Sequence, residues 1–392
     1  MDLTGILQKI AIPRPNHSES VKQTAEYIKE LLSSWNIPFV VQDFILRPHQ
    51  QLLVGLAILI IAVLFFIFVL RKKPLFALIM ALAIPALLII EFEAFIPVAS
   101  SLIQTPGENI IVSFTAPDAV QEIIFCAHYD SKTDFFDHIE RAKIYKWIPH
   151  FIVLGLLIPI WLFLGKKFKF FSNRFSKALT GILSIFVVIF WLLVFLGFGG
   201  YIFIDKKDQS FGAIDNGGSV VTLLALAKDI NEGRVETGRT NITILLTQGE
   251  EVTLQGADSY IKKRFSKTPV EPKLPTKLVN LELVGQNGNM IYWKKVGVFL
   301  KFYTSDEKLA EQLNKAWIKI SGNSMDMEKK ITDDSQRFCA ADIPSITVGH
   351  SGIPGKGMGG FHSTDDSMDR FNLKNLKLMI ATLGTFIEAY DN

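Results

Sequence analysis

The sequence predicts an α/β fold, a mostly parallel mixed sheet sandwiched by helices and interrupted by two transmembrane helical hairpins. Three observations carry that expectation. Short strand-like runs alternate with amphipathic helical stretches along most of the 392 residues, the pattern of a parallel sheet with helices on its faces. Four runs, Gln51–Leu70, Pro74–Ile90, Trp147–Leu164 and Ala178–Phe203, carry no charged side chain, and each approaches or exceeds the roughly 20 apolar residues that cross a bilayer. These runs come in pairs and fall inside the alternation, not at its ends.

Taken in order, residues 16–35 read as a helix that Asn16 or Ser18 can cap, with Val21, Ala25, Ile28, Leu31 and Leu32 on one apolar stripe. A strand follows at Phe39–Phe44. Beyond the first hairpin, Asn109–Phe114 and Glu122–His128 read as strands joined by a turn at Ala116-Pro117-Asp118. Beyond the second, Ser219–Ile230 reads as a helix, Asn241–Thr247 as an apolar strand, Leu254–Phe265 as a helix and Lys277–Leu283 as a strand. Met290–Trp293 and Val296–Tyr303 read as further strands, Glu307–Ile320 as a helix, Ser345–Val348 as a buried strand and Leu373–Tyr390 as a closing helix. The expected division is therefore a domain in three pieces, residues 1–50, 100–146 and 205–392. Hairpins occupy 51–99 (spans about 51–70 and 74–90) and 147–204 (spans about 147–164 and 178–203). Loops are where such insertions cost least.

Charge placement orients the hairpins. The first tight connection holds Arg71, Lys72 and Lys73, and the second Lys166, Lys167, Lys169, Arg174 and Lys177, with no acidic residue. Short basic loops stay cytoplasmic, so the sheet-forming segments are expected on the extracytoplasmic side of a multi-pass protein of the cell membrane. Met1–Pro15 lacks the basic-then-apolar pattern of a cleaved signal. A net charge of only +3 offers no global field for nucleic acid, and Cys126 and Cys339 cannot form a disulfide framework. The lipid bilayer is the partner that composition implies.

Five stretches concentrate metal-ligand residue types, most of them at strand ends, where open parallel sheets build sites. In Cys126-Ala127-His128-Tyr129-Asp130-Ser131, His128 and Asp130 point the same way along an extended segment. In Phe211-Gly212-Ala213-Ile214-Asp215-Asn216-Gly217-Gly218, Asp215 sits in a turn whose glycines permit close backbone approach. In Thr247-Gln248-Gly249-Glu250-Glu251, two adjacent carboxylates follow an apolar strand and call for cations or protons to relieve them. Glu282 lies between Leu281 and Leu283, where a buried carboxylate needs a partner. The fifth is Gly360-Phe361-His362-Ser363-Thr364-Asp365-Asp366-Ser367. Singly, each also reads as ordinary structure: a strand-end histidine on an aspartate, a turn leading into a helix, acidic residues at a solvated helix start.

Together and in this order they resemble the M28 family of zinc peptidases, which groups co-catalytic aminopeptidases and glutamate carboxypeptidases. That family's H-x-D, G-A-x-D-N-x-S-G, Glu-Glu pair, N-x-D-x-x-G and H-T-x-x-D appear here as H-Y-D-S, G-A-I-D-N-G-G-S, G-E-E, N-L-E-L-V-G and H-S-T-D-D-S. Asp334-Ser335-Gln336-Arg337-Phe338, followed by Ile343-Pro344, is similar to a further family segment. The resemblance implies the zinc-peptidase fold and two Zn2+ per chain. His128 and Glu282 would hold one ion and Glu251 and His362 the other, with Asp215 shared between them. It makes Glu250 the general base and Asp130 and Asp366 supports behind the ligands. The chain departs from the pattern in carrying Glu282 where the family has Asp, and in the long segment between the first two motifs.

The activity implied is exopeptidase cleavage of a peptide substrate, foremost as an aminopeptidase, with Glu250 taking a proton from the attacking water and returning it to the leaving amine. A single-zinc glutaminyl cyclase, which shares this fold, is the alternative within enzymes. A membrane receptor or scaffold with an inert peptidase-like domain is the alternative outside them. Asp134, Asp137, Arg141 and Arg337 stand near the motifs and are candidates for reading a substrate terminus. Asp215 follows Phe203 by about a dozen residues, which at about 3.3–3.6 Å per extended residue keeps it within roughly 40 Å of the bilayer surface.

Overall fold

The computed structural model describes residues 1–168, 174–265, 274–352 and 359–390. In chain order, α1 (Leu3–Ile10) and α2 (Glu19–Ser34) lead to β1 (Val40–Leu46), and the apolar helices α3 (Gln50–Leu70) and α4 (Pro74–Leu88) follow. Next come β2 (Thr105–Phe114), β3 (Gln121–His128), α5 (His138–Tyr145), α6 (Ile148–Phe168) and α7 (Arg174–Gly199). The chain continues with α8 (Gly218–Asn231), β4 (Thr240–Thr247), α9 (Gln255–Arg264), β5 (Thr276–Leu281), β6 (Met290–Trp293), β7 (Lys295–Gly297) and β8 (Phe302–Thr304). It closes with α10 (Glu307–Ser321), β9 (Asp326–Glu328), α11 (Ser335–Ala340), β10 (Ser345–His350) and α12 (Leu373–Tyr390).

These elements form two compact units. One comprises Met1–Pro48, Gln104–Thr133 and Lys207–Asn392, and the other His49–Ile103 and Asp134–Lys206. The first is built on an eight-stranded sheet of order β1-β2-β4-β3-β5-β10-β6-β9. Its centre is parallel, β4 on β3, β3 on β5 and β5 on β10, with antiparallel pairs β1–β2, β2–β4 and β10–β6 towards the edges. This is the mixed, mostly parallel sheet the alternation predicts. Central strands such as β3, β4 and β10 are almost wholly buried, which is why they read as continuous apolar runs. On one face α1, α2, α8, α10 and α12 share a core in which Leu7, Ile28, Val220, Leu224, Leu383 and Phe386 are fully or almost fully buried. On the other, α9 and α11 cover Cys126, Leu245 and Leu278 through Tyr260 and Phe338.

Local chemistry sets the ends of these elements. Ser18 caps α2, its hydroxyl accepting from the Val21 N–H at 3.3 Å, a contact worth about 1 kcal/mol. α1 is an element the sequence reading passed over. Asp2 caps it at the Gly5 N–H, and Leu3, Ile6, Leu7 and Ile10 form its buried stripe. The expected strand Val296–Tyr303 is instead the hairpin β7–β8. Gly297, at φ 157, ends the first arm where the chain turns back. The expected strand Lys277–Leu283 ends at Leu281, so Glu282 lies just past the ladder.

The second unit holds four helices long and apolar enough to cross a membrane, at Gln50–Leu70, Pro74–Glu93, Ile139–Lys167 and Ala178–Phe203. α3 packs on α7 and α4, α4 on α6, and α6 on α7. Ile60, Phe76, Leu157, Trp161 and Phe186 face outward, a surface suited to lipid. Glu91 is fully buried and accepts from the Val98 N–H, the Ser100 N–H, the Ser100 hydroxyl and the Gln50 amide, so a carboxylate at a helix end is satisfied within the unit. Arg71, Lys72, Lys73, Lys166 and Lys167 are exposed, and Lys169 lies outside the described residues.

Candidate metal centre

The parallel strands β3, β4, β5 and β10 end on one edge of the sheet, and register places His128 opposite Thr247 and Cys126 opposite Asn280. The chain leaves β3, returns to pair with it as β4 on one side, then pairs as β5 on the other. Strand order therefore reverses about β3, where open α/β sheets form a crevice. His128 is the last residue of β3, Glu250 and Glu251 follow β4, and Glu282 follows β5. Asp215 sits in the turn that enters α8, and His362 in the loop after β10.

All seven residues that the motifs singled out as catalytic or metal-binding converge there. His128 Nε2 lies 3.3 Å from Asp215 Oδ1, 3.6 Å from Glu282 Oε2 and 3.9 Å from Glu250 Oε2. His362 Nε2 lies 3.3 Å from Asp215 Oδ2 and 3.2 Å from Glu251 Oε1. The two oxygens of one carboxylate thus face two different imidazoles. Three sets have ligand atoms within 4.8 Å of one another: His128, Asp215 and Glu282; Asp215, Glu251 and His362; and His128, Glu250 and Glu251. Asp215 belongs to the first two. Asp215 and Glu250 remain 12% exposed while His128, Glu251, Glu282 and His362 are buried, so the open side of the cluster carries the shared carboxylate and the candidate base.

Supporting contacts fix the loops. Asp130 Oδ1 accepts from the Gly249 N–H at 3.0 Å, and its Oδ2 accepts from the Glu251 N–H at 3.2 Å and from the Asn16 amide at 2.6 Å. Its carboxylate stands 3.6 Å from His128 Nδ1, whose nearer neighbour is the Asp130 carbonyl at 3.1 Å. Asp130 therefore holds the Glu250–Glu251 loop as well as the imidazole. Asp366 accepts from the Ile214 N–H at 2.7 Å and the Asp215 N–H at 3.2 Å. The Asn216 amide donates to the Leu281 carbonyl at 2.8 Å, tying the Asp215 turn to the end of β5. Ile214, Leu283 and Phe361, each next in sequence to a candidate ligand, pack together with Ile291 and Trp293 and keep that side dry. Leu283 and His362 adopt left-handed backbone, at φ 56 and 62, a conformation held only where surroundings enforce it.

The electrostatics follow from so many acids in a dry space. Burial disfavours the His128 imidazolium, but Glu282, Asp130 and Asp215 outweigh it and raise its pKa well above the usual value. Asp215 is driven far down: burial opposes its charge, yet His128 and His362 prevail. Burial raises Glu250, opposed by His128 and reinforced by Glu251, Glu282 and Asp334. Burial, opposed by His128 and reinforced by Asp215 and Asp333, lifts Glu282 to about 8. Burial and mutual repulsion that raise Glu250 and Glu282 are what cations would relieve, and two imidazoles with an intervening carboxylate suit a borderline-soft divalent metal. The residues fit the group that the motif resemblance implies.

The candidates for reading a substrate terminus have other employment. Arg337 pairs with Asp258 at 2.5 Å. Arg141 pairs with Asp134, and Asp137 caps α5 at the Glu140 N–H, both within the helical unit. Sequence reasoning missed Arg14, which is fully buried beside the centre. The available signal was a lone cation flanked by Pro13 and Pro15 directly after the apolar stripe of α1.

Residues 203–387 match the model of peptidase family M28. A vacuolar membrane protease from Pyrenophora teres f. teres is 33% identical over 104 residues, which span 26% of this chain and 10% of that longer protein. Among solved structures, a leucine aminopeptidase precursor from Bacteroides thetaiotaomicron aligns with a TM-score of 0.53 at 14% identity, covering 99% of this chain and 96% of that one. A Zn-dependent exopeptidase from Parabacteroides distasonis gives 0.54 at 15%, covering 99% and 97%. A glutaminyl cyclase from Bacteroides thetaiotaomicron gives 0.54 at 14%, covering 99% and 96%. At such identities the structural likeness establishes the fold. The segment that matches peptidase family M28 carries five of the seven site residues, after the second hairpin, and the fold brings His128 and Asp130 to the same cluster.

Proposed function

We propose that the chain is a multi-pass membrane exopeptidase, an aminopeptidase, that hydrolyses peptide bonds with two zinc ions. The observation that carries this reading is the Asp215 carboxylate, one oxygen 3.3 Å from His128 and the other 3.3 Å from His362. His128 and Glu282 would hold one ion and Glu251 and His362 the other, with Asp215 common to both. Zinc, when bound, lowers the pKa of a water towards neutrality and polarises the substrate carbonyl. Glu282 replaces the family's aspartate, and its longer side chain still reaches 3.6 Å from His128.

Glu250 is the proton carrier. Its carboxylate is partly open and its proton affinity is raised by burial and by Glu251 and Glu282, which suits a group that accepts a proton from water and passes it to the leaving amine. Asp130 positions the loop bearing Glu250 and the ring of His128. An acid-rich centre favours a substrate with a free amine. Arg141 and Arg337, the arginines considered for a substrate carboxylate, are held by Asp134 and Asp258, which supports aminopeptidase over carboxypeptidase action. The two ligand sets favour two ions over the single zinc of a cyclase-like enzyme, and their completeness argues against an inert scaffold.

The test combines metal content with turnover. Purified chain should carry close to two zinc ions, and Glu250→Gln should keep them while losing hydrolysis by at least about 100-fold. Unblocked peptides should be cleaved and N-terminally blocked ones spared. One ion per chain would bring forward the cyclase reading. Undiminished hydrolysis by the glutamine variant would remove Glu250 from its role.

A further inference from the structure

Arg14 is fully buried, and its contacts are unusual for a buried cation. Nε donates to the Tyr129 carbonyl at 2.5 Å, Nη1 to the Ile10 and Phe211 carbonyls at 2.9 and 2.8 Å, and Nη2 to the Gly212 carbonyl at 2.9 Å. Its own backbone exchanges hydrogen bonds with Ser131: the Arg14 N–H donates to the Ser131 hydroxyl at 3.0 Å, and the Ser131 N–H donates to the Arg14 carbonyl at 3.2 Å. Two residues on, the Asn16 amide holds Asp130 at 2.6 Å. Among the described residues every hydrogen-bond acceptor of the guanidinium is a backbone carbonyl.

The gripped positions are those that deliver the candidate ligands. Tyr129 lies between His128 and Asp130, and Phe211 and Gly212 lead into Asp215. The chain leaves the sheet unit after Thr133 and rejoins it at Lys207, so these two turns are far apart in sequence and no short covalent link fixes their spacing. Yet His128 Nε2 and Asp215 Oδ1 stand 3.3 Å apart in the centre. Arg14 spans the gap. Gly212 completes the fit: it sits at φ 59, and a Cβ there would come within 2.7 Å of Arg14 Nη1 and of Ser131 Cβ. A guanidinium donates along several fixed directions at once, whereas an ammonium acts as a point charge. Burial of an unpaired cation is costly. Here Asp366, Asp130, Asp215 and Glu251 repay part of that cost at longer range, and the group stays protonated at neutral pH with a pKa of about 10.

We infer that Arg14 is a positioning residue of the metal centre, a clamp that sets the distance between the His128 turn and the Asp215 turn across the inserted helical unit. The inference rests on the metal reading above. Removing the clamp should loosen the site for metal before it unfolds the sheet, as loss of groups that orient ligands typically costs 10–100-fold in affinity.

The experiment uses the full chain in detergent and zinc alone as probe, titrated against a chromophoric chelator, with peptide hydrolysis measured in parallel. Arg14→Ala should bind zinc at least 10-fold more weakly and lose kcat with little change in KM. Millimolar guanidinium should restore part of both in that variant and neither in the wild type. Arg14→Lys keeps the charge without the fork, and should bind zinc weakly and gain nothing from guanidinium, which keeps the question answerable if the alanine variant fails to fold. Wild-type zinc affinity in Arg14→Lys, or in a folded Arg14→Ala, overturns the clamp alone. A wild-type chain that binds no zinc overturns the metal reading and the clamp with it.

Discussion

At the scale of single residues, His350 shows how burial sets a pH limit apart from the chemistry. It is fully buried at the end of β10, edge-on to Trp317, and the Gly285 N–H donates to its Nδ1 at 3.3 Å. That contact requires a neutral ring, and burial pulls its pKa down to about 3. Since the folded value lies below the ordinary 6.5, protonation favours the unfolded chain. Stability is therefore intact above pH 6.5 and lost progressively as pH falls towards 3. By pH 4.5 the deficit from this one group is about 2–3 kcal/mol. His350→Gln keeps an acceptor for Gly285 without the titration. Thermal melts of variant and wild type should converge, or cross, as pH drops from 7 to 4.5, and parallel curves would exclude His350 as the source. The site's acids were legible as residues, because strand-end carboxylates in pairs demand an explanation. Arg14 was not, because nothing in a sequence says which distant carbonyls a cation will meet.

At the scale of elements, close packing beside the ligands leaves little room. Gly349 in β10 lies against the Glu282 carbonyl, and a Cβ there would overlap that oxygen and press on Trp293. Gly349→Ala should cost about 1–3 kcal/mol by overpacking and shift Glu282 away from His128, so the melting temperature falls and one zinc is lost before the other. A variant with wild-type stability and metal content would show that the strand end yields freely. Most elements could be read from periodicity, since α2, α8, α10, α12 and the buried strands bury one stripe or one run. The misses have physical causes. β9 has three exposed residues and exists by pairing with β6. β7–β8 is two three-residue arms paired from Lys295↔Thr304 to Gly297↔Phe302, too short for alternation to show. α1 has a clear stripe but only eight residues, too short to stand without the core it packs on.

At the scale of the whole molecule, the two units divide the labour of the chain. One buries a sheet edge rich in acids, and the other presents four helices of membrane-spanning length. The exposed basic turns at Arg71–Lys73 and Lys166–Lys167 predict topology. In a background lacking reactive cysteine, a cysteine at Lys72 should react with an impermeant maleimide only from the cytoplasmic face. One at the exposed Asn323 should react only from the opposite face. Labelling of both from the same side would refute the orientation. Chelation offers a second test. Zinc that binds only the folded chain stabilises it by mass action, so a strong chelator should lower the melting temperature of the wild type and leave that of a His128→Ala, His362→Ala double variant nearly unmoved.

By itself the sequence determined the alternating α/β plan, the four apolar spans and the inventory of ligand-type residues, because periodicity, run length and residue chemistry are local properties. Only the tertiary structure decided that His128, Asp215, Glu250, Glu251, Glu282 and His362 share one cluster, that Asp130 also holds the Glu250–Glu251 loop, and that Arg14 ties together turns lying on either side of a long insertion. Those are facts of distance. They follow from parallel strand ends meeting at a reversal of strand order, which no stretch of chain encodes alone.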